Sequence, residues 1–216
     1  MNMINNDFII NKKKLENNME ILVIDNFFYN IDDLKKNSEN LDTKTNEDMF
    51  PGSKKYILNI KFIYDLNKEL KNLDIYENKL NINNIFYGNV NKDKDLLDRD
   101  QSQPHIDIYA KKALLVYLNE DDNCHGGTGF YKNIESNKIK ANTIEEGLEI
   151  LKKEGGKLKK PEYISDSNNS WELIEMIPMK KNRGILYDSK IFHSAYFKNL
   201  SYFNNEGRQT LNIFLN

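Results

Sequence analysis

Pro104-His105-Ile106-Asp107 is the stretch whose residue types and spacing could do chemistry. In an extended strand, residues two apart face the same side, so His105 and Asp107 would present an imidazole and a carboxylate together. Such a pair can hold two neighbouring positions on a divalent metal and leave others open. His-x-Asp alone is a weak signal, more often incidental than metal-binding. His193, in Ile191-Phe192-His193-Ser194-Ala195, has apolar neighbours that predict a strand. A histidine buried in a strand is usually structural, but with His105 and Asp107 upstream it becomes the obvious third ligand. Two imidazoles and one carboxylate with open positions suit non-haem Fe(II) chemistry. His125, in Asn123-Cys124-His125-Gly126-Gly127, sits in a turn and is a weaker candidate.

Beyond His193 comes the run Arg208-Gln209-Thr210-Leu211-Asn212-Ile213-Phe214-Leu215, whose two faces differ. Arg208, Thr210 and Asn212 fall on one side of a strand, and Leu211, Ile213 and Leu215 on the other. The aliphatic side can pack on helices. The polar side needs a reason to be buried, because an interior guanidinium without a partner is costly. A structural carboxylate is one reason. A bound carboxylate ligand is another, since arginine grips carboxylates through two parallel hydrogen bonds. Thr210 would add a hydroxyl beside it. Tyr117 shares a face with Ala113 and Leu115, and its phenol could reach the same ligand or simply pack in the core. Gly126-Gly127-Thr128-Gly129 lacks the Lys-Ser/Thr ending of a phosphate-binding loop and reads as a tight turn feeding a strand.

These residues need a scaffold, and 216 residues suffice for one domain with a substantial core. The apolar run 21–24 predicts a buried strand. Asn30 is a candidate cap for a helix running to about Asn40, with Asp32 and Asp33 at its positive end. The stretch 42–55 is polar and carries the turn signal Pro51-Gly52. A strand is expected over 56–63, then a helix capped by Asp65 with Leu66, Leu70 and Leu73 on one stripe. From Ile82 the pattern becomes short strands separated by turns, at 84–90, 103–109, 113–118, 128–131, 173–178, 184–187, 191–196 and 208–215. That rhythm predicts a sandwich, barrel or jelly roll. Residues 132–170 interrupt it with a polar insertion. It holds a helix capped by Thr143 and Glu146, striped by Ile144, Leu148 and Leu151, and ended by Gly155-Gly156. The basic residues 157–160 read as a solvated face.

Net charge is −2, with 31 basic and 33 acidic residues mixed along the chain, so wide binding to a nucleic-acid backbone is disfavoured. The single cysteine, Cys124, excludes an intrachain disulfide and points to a reducing, cytoplasmic setting with a free structural thiol. Residues 1–18 lack the apolar run of a secretory signal, and no run of about 18 apolar residues suggests a membrane span.

The order Pro104-His105-x-Asp107, Tyr117-Leu118-Asn119, Gly126-Gly127-Thr128, Gly184, His193 and Arg208 resembles the Fe(II)- and 2-oxoglutarate-dependent dioxygenases, especially their prolyl 4-hydroxylase-like branch. The likeness covers about half the chain, from Gln103 onward. Ile24-Asp25-Asn26-Phe27, Phe50-Pro51-Gly52 and Gly126-Gly127-Thr128-Gly129-Phe130-Tyr131 also resemble uncharacterised bacterial and phage proteins with the same iron motif. The resemblance implies that His105, Asp107 and His193 bind Fe(II). Arg208, aided by Thr210 and Tyr117, would hold the distal carboxylate of 2-oxoglutarate. Ascorbate is a candidate stimulant. Arg208 stands where a lysine is often found, and the 132–170 insertion is long; both departures touch the substrate more than the cosubstrate.

The expected fold is α+β and mainly β, a double-stranded β-helix (jelly-roll) core over 82–216 with N-terminal strand and helix support over 1–81. The expected activity is hydroxylation of a peptide or protein side chain, or of a small amino-acid-like metabolite, with succinate and CO2 as coproducts. Tyr109, Tyr131 and Trp171 are candidate substrate contacts. The alternative from another class is a jelly roll that binds metal or ligand without oxidising anything.

Overall fold

A computed structural model describes residues 3–45, 50–73, 80–203 and 206–216. The described residues are mixed α+β and mainly β. In chain order the strands are β1 (Ile9–Lys14), β2 (Glu20–Asp25), β3 (Lys44–Thr45), β4 (Gly52–Tyr56), β5 (Ile82–Val90), β6 (Lys112–Tyr117), β7 (Gly127–Asn133), β8 (Trp171–Pro178), β9 (Gly184–Asp188), β10 (His193–Tyr196) and β11 (Arg208–Leu215). The α-helices are α1 (Ile31–Glu39), α2 (Ile60–Lys71) and α3 (Ile144–Lys157). Eight strands form one sheet in the order β1-β2-β9-β6-β11-β5-β4-β3, and three form a second, β10-β7-β8. The pairings are antiparallel throughout.

The central strand β11 explains how the layers stack. Leu211, Ile213 and Leu215 point outward into a core shared with Leu66 and Leu70 of α2 and Ile31 and Leu34 of α1. Arg208, Thr210 and Asn212 point the other way and are buried as well. On that inner side Tyr117, Ala113, Leu115, Ile185 and Tyr187 of the large sheet meet Phe130 and Ile177 of the small one in a second core. Helices α1 and α2 thus cover one face of the large sheet and the small sheet covers the other. A third, smaller cluster joins Ile106, Tyr131, Ala141, Leu151, Trp171 and Phe192 beneath the insertion. Capping follows side-chain chemistry: Asn30 accepts from the Asp33 amide at 3.2 Å and Asn59 from the Phe62 amide at 3.0 Å.

Several local expectations need correction. Residues 56–63 are not a strand. Strand β4 ends at Tyr56, and α2 starts at Ile60 under the Asn59 cap. Asp65, expected as the cap, lies inside α2 and pairs with Lys61 one turn earlier. Ile63, Leu66, Leu70 and Leu73 all face the outer core, so burial of that stripe outweighs the short alternation before it. Residues 103–109 are not a continuous strand either. Only His105 forms a bridge, to His193, and the Asp107 amide bonds instead to the Ser189 carbonyl at 2.8 Å.

Helix α3 buries Gly147, Leu151, Glu154 and Gly155, whereas Ile144 and Leu148 are exposed. The face is set by close approach: a Cβ on Gly147 would stand 2.3 Å from Ile106 Cδ1. Gly155 and Gly156 lie within the helix, which continues to Lys157. Thr143 accepts from the Glu146 amide at 3.2 Å, and the Glu146 carboxylate accepts from the Asn142 amide at 2.7 Å. Among the described residues no helix is long and apolar enough to cross a membrane.

Candidate metal centre

His105, Ile106 and Asp107 run alongside β10 on the edge of the small sheet. Reciprocal backbone bonds between His105 and His193, at 2.8 and 3.0 Å, lock the two histidines opposite each other. Their rings lie 4.4 Å apart between centroids. Asp107 completes the group: its carboxylate oxygens lie 4.0 Å from His105 Nε2 and 3.4 Å from His193 Nε2. One ligand atom from each of the three residues falls within 4.8 Å of the others.

The donor chemistry fits a cation. His193 Nδ1 lies 2.8 Å from the Ile191 carbonyl, so its N–H is tied there and the Nε2 lone pair is left for the centre. Burial pushes His193 down to about 4. Burial, then the facing His193 ring, pushes His105 down to about 4 as well, although solvent at its 38% exposed side chain screens part of that effect. Both imidazoles are therefore neutral ligands at neutral pH. Burial pushes Asp107 up to about 6, against the pull of His105 and Lys54. Its Oδ2 is sealed from solvent and makes no hydrogen bond among the described residues. A buried carboxylate oxygen with no donor beside two neutral imidazoles lacks positive charge, which a divalent ion would supply.

Arg208 enters the same inter-sheet space from β11. It is 3% exposed, and its Nη2 donates to Thr128 Oγ1 at 2.9 Å. Its Nε is sealed without an acceptor, and among the described residues no carboxylate pairs with it. The guanidinium stands 5.3 Å from the Tyr117 ring centroid, and the Tyr117 hydroxyl lies 2.8 Å from Thr128 Oγ1. Thr210 is in the next inward position, where its hydroxyl accepts from Asn212 Nδ2 at 3.0 Å. The register sets Lys54, Gly88, Thr210 and Tyr117 in one row across β4, β5, β11 and β6.

The three remaining candidates do not join this group. Tyr131 and Trp171 are 0 and 1% exposed, and Trp171 packs against Phe192 with ring centroids 5.0 Å apart. Both are core residues that offer no surface to a substrate in this conformation. Tyr109 is 77% exposed, and its carbonyl accepts from Asn83 and Asn216. His125 sits apart, against Tyr202 and Phe203, and burial pushes the Cys124 thiol up to about 11, away from reactivity.

Sequence reasoning missed Lys54, Thr128 and Tyr187. Lys54 is 8% exposed, its ammonium 5.4 and 5.1 Å from the Phe50 and Phe86 ring centroids, and its charge lowers both His105 and Asp107. It lay hidden in a polar stretch that reads as a loop. Thr128 lay in a glycine turn and Tyr187 in an apolar run.

The sequence matches, over residues 6–215, a family described as "Family of unknown function (DUF6445)". The chain belongs to this family. DUF6445 thus spans both the N-terminal helices and the His-Asp-His cluster, so the supporting layer and the site are parts of one unit of sequence. No curated protein matches this DUF6445 member.

Proposed function

We propose that this chain is an Fe(II)- and 2-oxoglutarate-dependent dioxygenase built on a double-stranded β-helix, and that it hydroxylates an amino-acid-like metabolite or a peptide side chain. One observation carries the reading. Among the described residues, a buried carboxylate oxygen with no hydrogen-bond donor and a buried guanidinium with no carboxylate partner share the space between the same two sheets. A divalent ion at one end and a dicarboxylate bridging to the other would satisfy both.

His105, Asp107 and His193 would hold Fe(II), leaving open positions for cosubstrate and oxygen. Bound iron supplies the redox chemistry that couples loss of CO2 from 2-oxoglutarate to hydroxylation. Of the two oxygen atoms of O2, one ends in succinate and the other in the hydroxyl group of the product. The chain's own residues bind and orient. Arg208 would take the distal carboxylate as a forked pair, with Thr128 steadying one arm of the guanidinium and the Tyr117 ring lying beside it. The Ile191 carbonyl fixes the His193 tautomer.

Anaerobic titration of 2-oxoglutarate into Fe(II)-loaded protein, followed by succinate assay in air, tests the reading. Saturable binding and steady succinate release are expected. Binding without succinate would leave a metal- and ligand-binding protein, and no binding at all would remove the reading.

A further inference from the structure

Strand β9 alternates strictly: Leu186 faces the outer core, while Ile185 and Tyr187 face the inner one. The Tyr187 ring stands 5.2 Å from Phe130 at 79° and 4.7 Å from His193 at 63°, both edge-to-face contacts. A phenylalanine would make these contacts equally well. The hydroxyl therefore needs its own explanation, because packing of the ring does not use it.

Other buried tyrosines satisfy theirs. Tyr87 donates to the Leu34 carbonyl at 2.8 Å, and Tyr117 sits 2.8 Å from Thr128 Oγ1. Tyr187 is 3% exposed as a residue, no hydrogen bond joins its hydroxyl to another described residue, and its oxygen is not among the side-chain atoms sealed from their surroundings, so it opens into the space beside it. Its ring lies against the triad's His193 and shares the inner core with Tyr117, the neighbour of Arg208. The Asp107 carboxylate and the Arg208 guanidinium both act on its phenol, the carboxylate more strongly.

We propose that the Tyr187 hydroxyl is a ligand-binding group that donates a hydrogen bond to an anionic oxygen at the metal-facing end of a bound 2-oxo acid. The inference rests on the dioxygenase reading. It adds a third polar anchor on β9 to the metal end and the arginine end. It also accounts for a tyrosine where packing alone asks only for an aromatic ring.

Tyr187→Phe removes the oxygen and keeps both ring contacts. Wild-type and variant protein loaded with Fe(II) are titrated anaerobically with 2-oxoglutarate, reading affinity and the charge-transfer absorption of the iron–2-oxo acid complex. Metal affinity and metal-free melting are measured alongside. Unchanged melting and metal affinity are expected in Tyr187→Phe, with 2-oxoglutarate binding weakened about ten- to a hundredfold and the absorption band displaced. If the wild type binds and the variant matches it in affinity and band, the Tyr187 assignment is overturned while the dioxygenase reading stands. Weakened binding with an unmoved band would overturn the metal-facing placement. If metal-loaded wild type fails to bind 2-oxoglutarate, the dioxygenase reading falls and this inference falls with it.

Discussion

The two ends of the inter-sheet space are organised on opposite principles. At the metal end, His105 and His193 are clamped by reciprocal backbone bonds, and one ring nitrogen is tied to a carbonyl. Every constraint there acts on position, and the charge is left incomplete. At the arginine end the charge is already present, on Arg208, but its guanidinium meets the Thr128 and Tyr117 hydroxyls and, among the described residues, no carboxylate. The contrast shows which end should respond to which ligand. Loss of a metal ligand should leave cosubstrate geometry without a centre, whereas loss of the arginine should leave the metal untouched.

The largest effect is expected at Asp107. Asp107→Ala removes the one hard anionic donor, and two imidazoles form a poor site for a hard cation. Fe(II) or Mn(II) affinity should fall beyond measurement in a titration, about a thousandfold or more. Melting of the metal-free form should hold or rise, because an uncompensated buried carboxylate is gone. Undiminished binding of one ion per chain would break the assignment of this end.

Arg208→Ala comes next and probes the other end. Removing a charged, forked hydrogen-bond pair from a buried site costs about 2–5 kcal/mol, or roughly thirty- to several-thousand-fold in 2-oxoglutarate affinity. Metal affinity should be unchanged. A structural ion pair predicts a different outcome, since removing one partner would strand the other and lower the melting temperature. No such partner is present among the described residues, so the metal-free form should tolerate the change. Arg208→Lys should retain more affinity than alanine, keeping charge but not the planar fork. A collapsed melting temperature with unchanged 2-oxoglutarate affinity would make the arginine structural and erase the contrast.

Much of this arrangement was legible in residue order because it follows from short-range periodicity. The two faces of β11 come directly from alternation, and the Asn30 cap from side-chain chemistry. His105 and Asp107 meet although their segment is not a regular strand, because two-residue spacing survives in any extended chain. What stayed hidden depends on partners distant in sequence. Lys54 reads as one more polar loop residue until β4 pairs with β5. Gly147 reads as a weak point in a helix until Ile106 is set against it. The unpaired state of the Tyr187 hydroxyl cannot be read from an apolar run at all.

The metal end should also be the pH-sensitive one. Asp107 is pushed up to about 6 by burial, so in the metal-free protein it takes up a proton as pH falls through that value. Metal binding must expel that proton, and affinity should fall about tenfold per pH unit below about 6. The histidines, pushed down to about 4, add nothing until lower pH. In metal-free stability the signs oppose. The raised Asp107 contributes stability that is fully present below about 3.8 and lost as pH rises through about 6. The lowered histidines contribute stability that is present above about 6.5 and lost as pH falls through about 4. Metal titrations between pH 5 and 8 check the slope, and a flat profile would mean that Asp107 takes up no proton in that range.

The smallest effect separates position from stability at the metal end. Gly147→Ala places a methyl 2.3 Å from Ile106 Cδ1, too close for both to keep their positions. Overpacking of this kind costs about 1–3 kcal/mol. Replacing a helix-interior glycine returns about 1 kcal/mol, so net stability should change by no more than about 2 kcal/mol. Ile106 lies between two of the three ligands and is buried beneath α3, so its displacement is transmitted to His105 and Asp107. Metal affinity should therefore drop a few-fold while the melting temperature falls by no more than about 8 °C, and 2-oxoglutarate affinity at saturating metal should stay constant. A larger fall in melting temperature alongside the lost metal affinity would mean that α3 merely holds the fold together. Unchanged metal affinity in a folded Gly147→Ala protein would show that the insertion's helix has no part in setting the ligands.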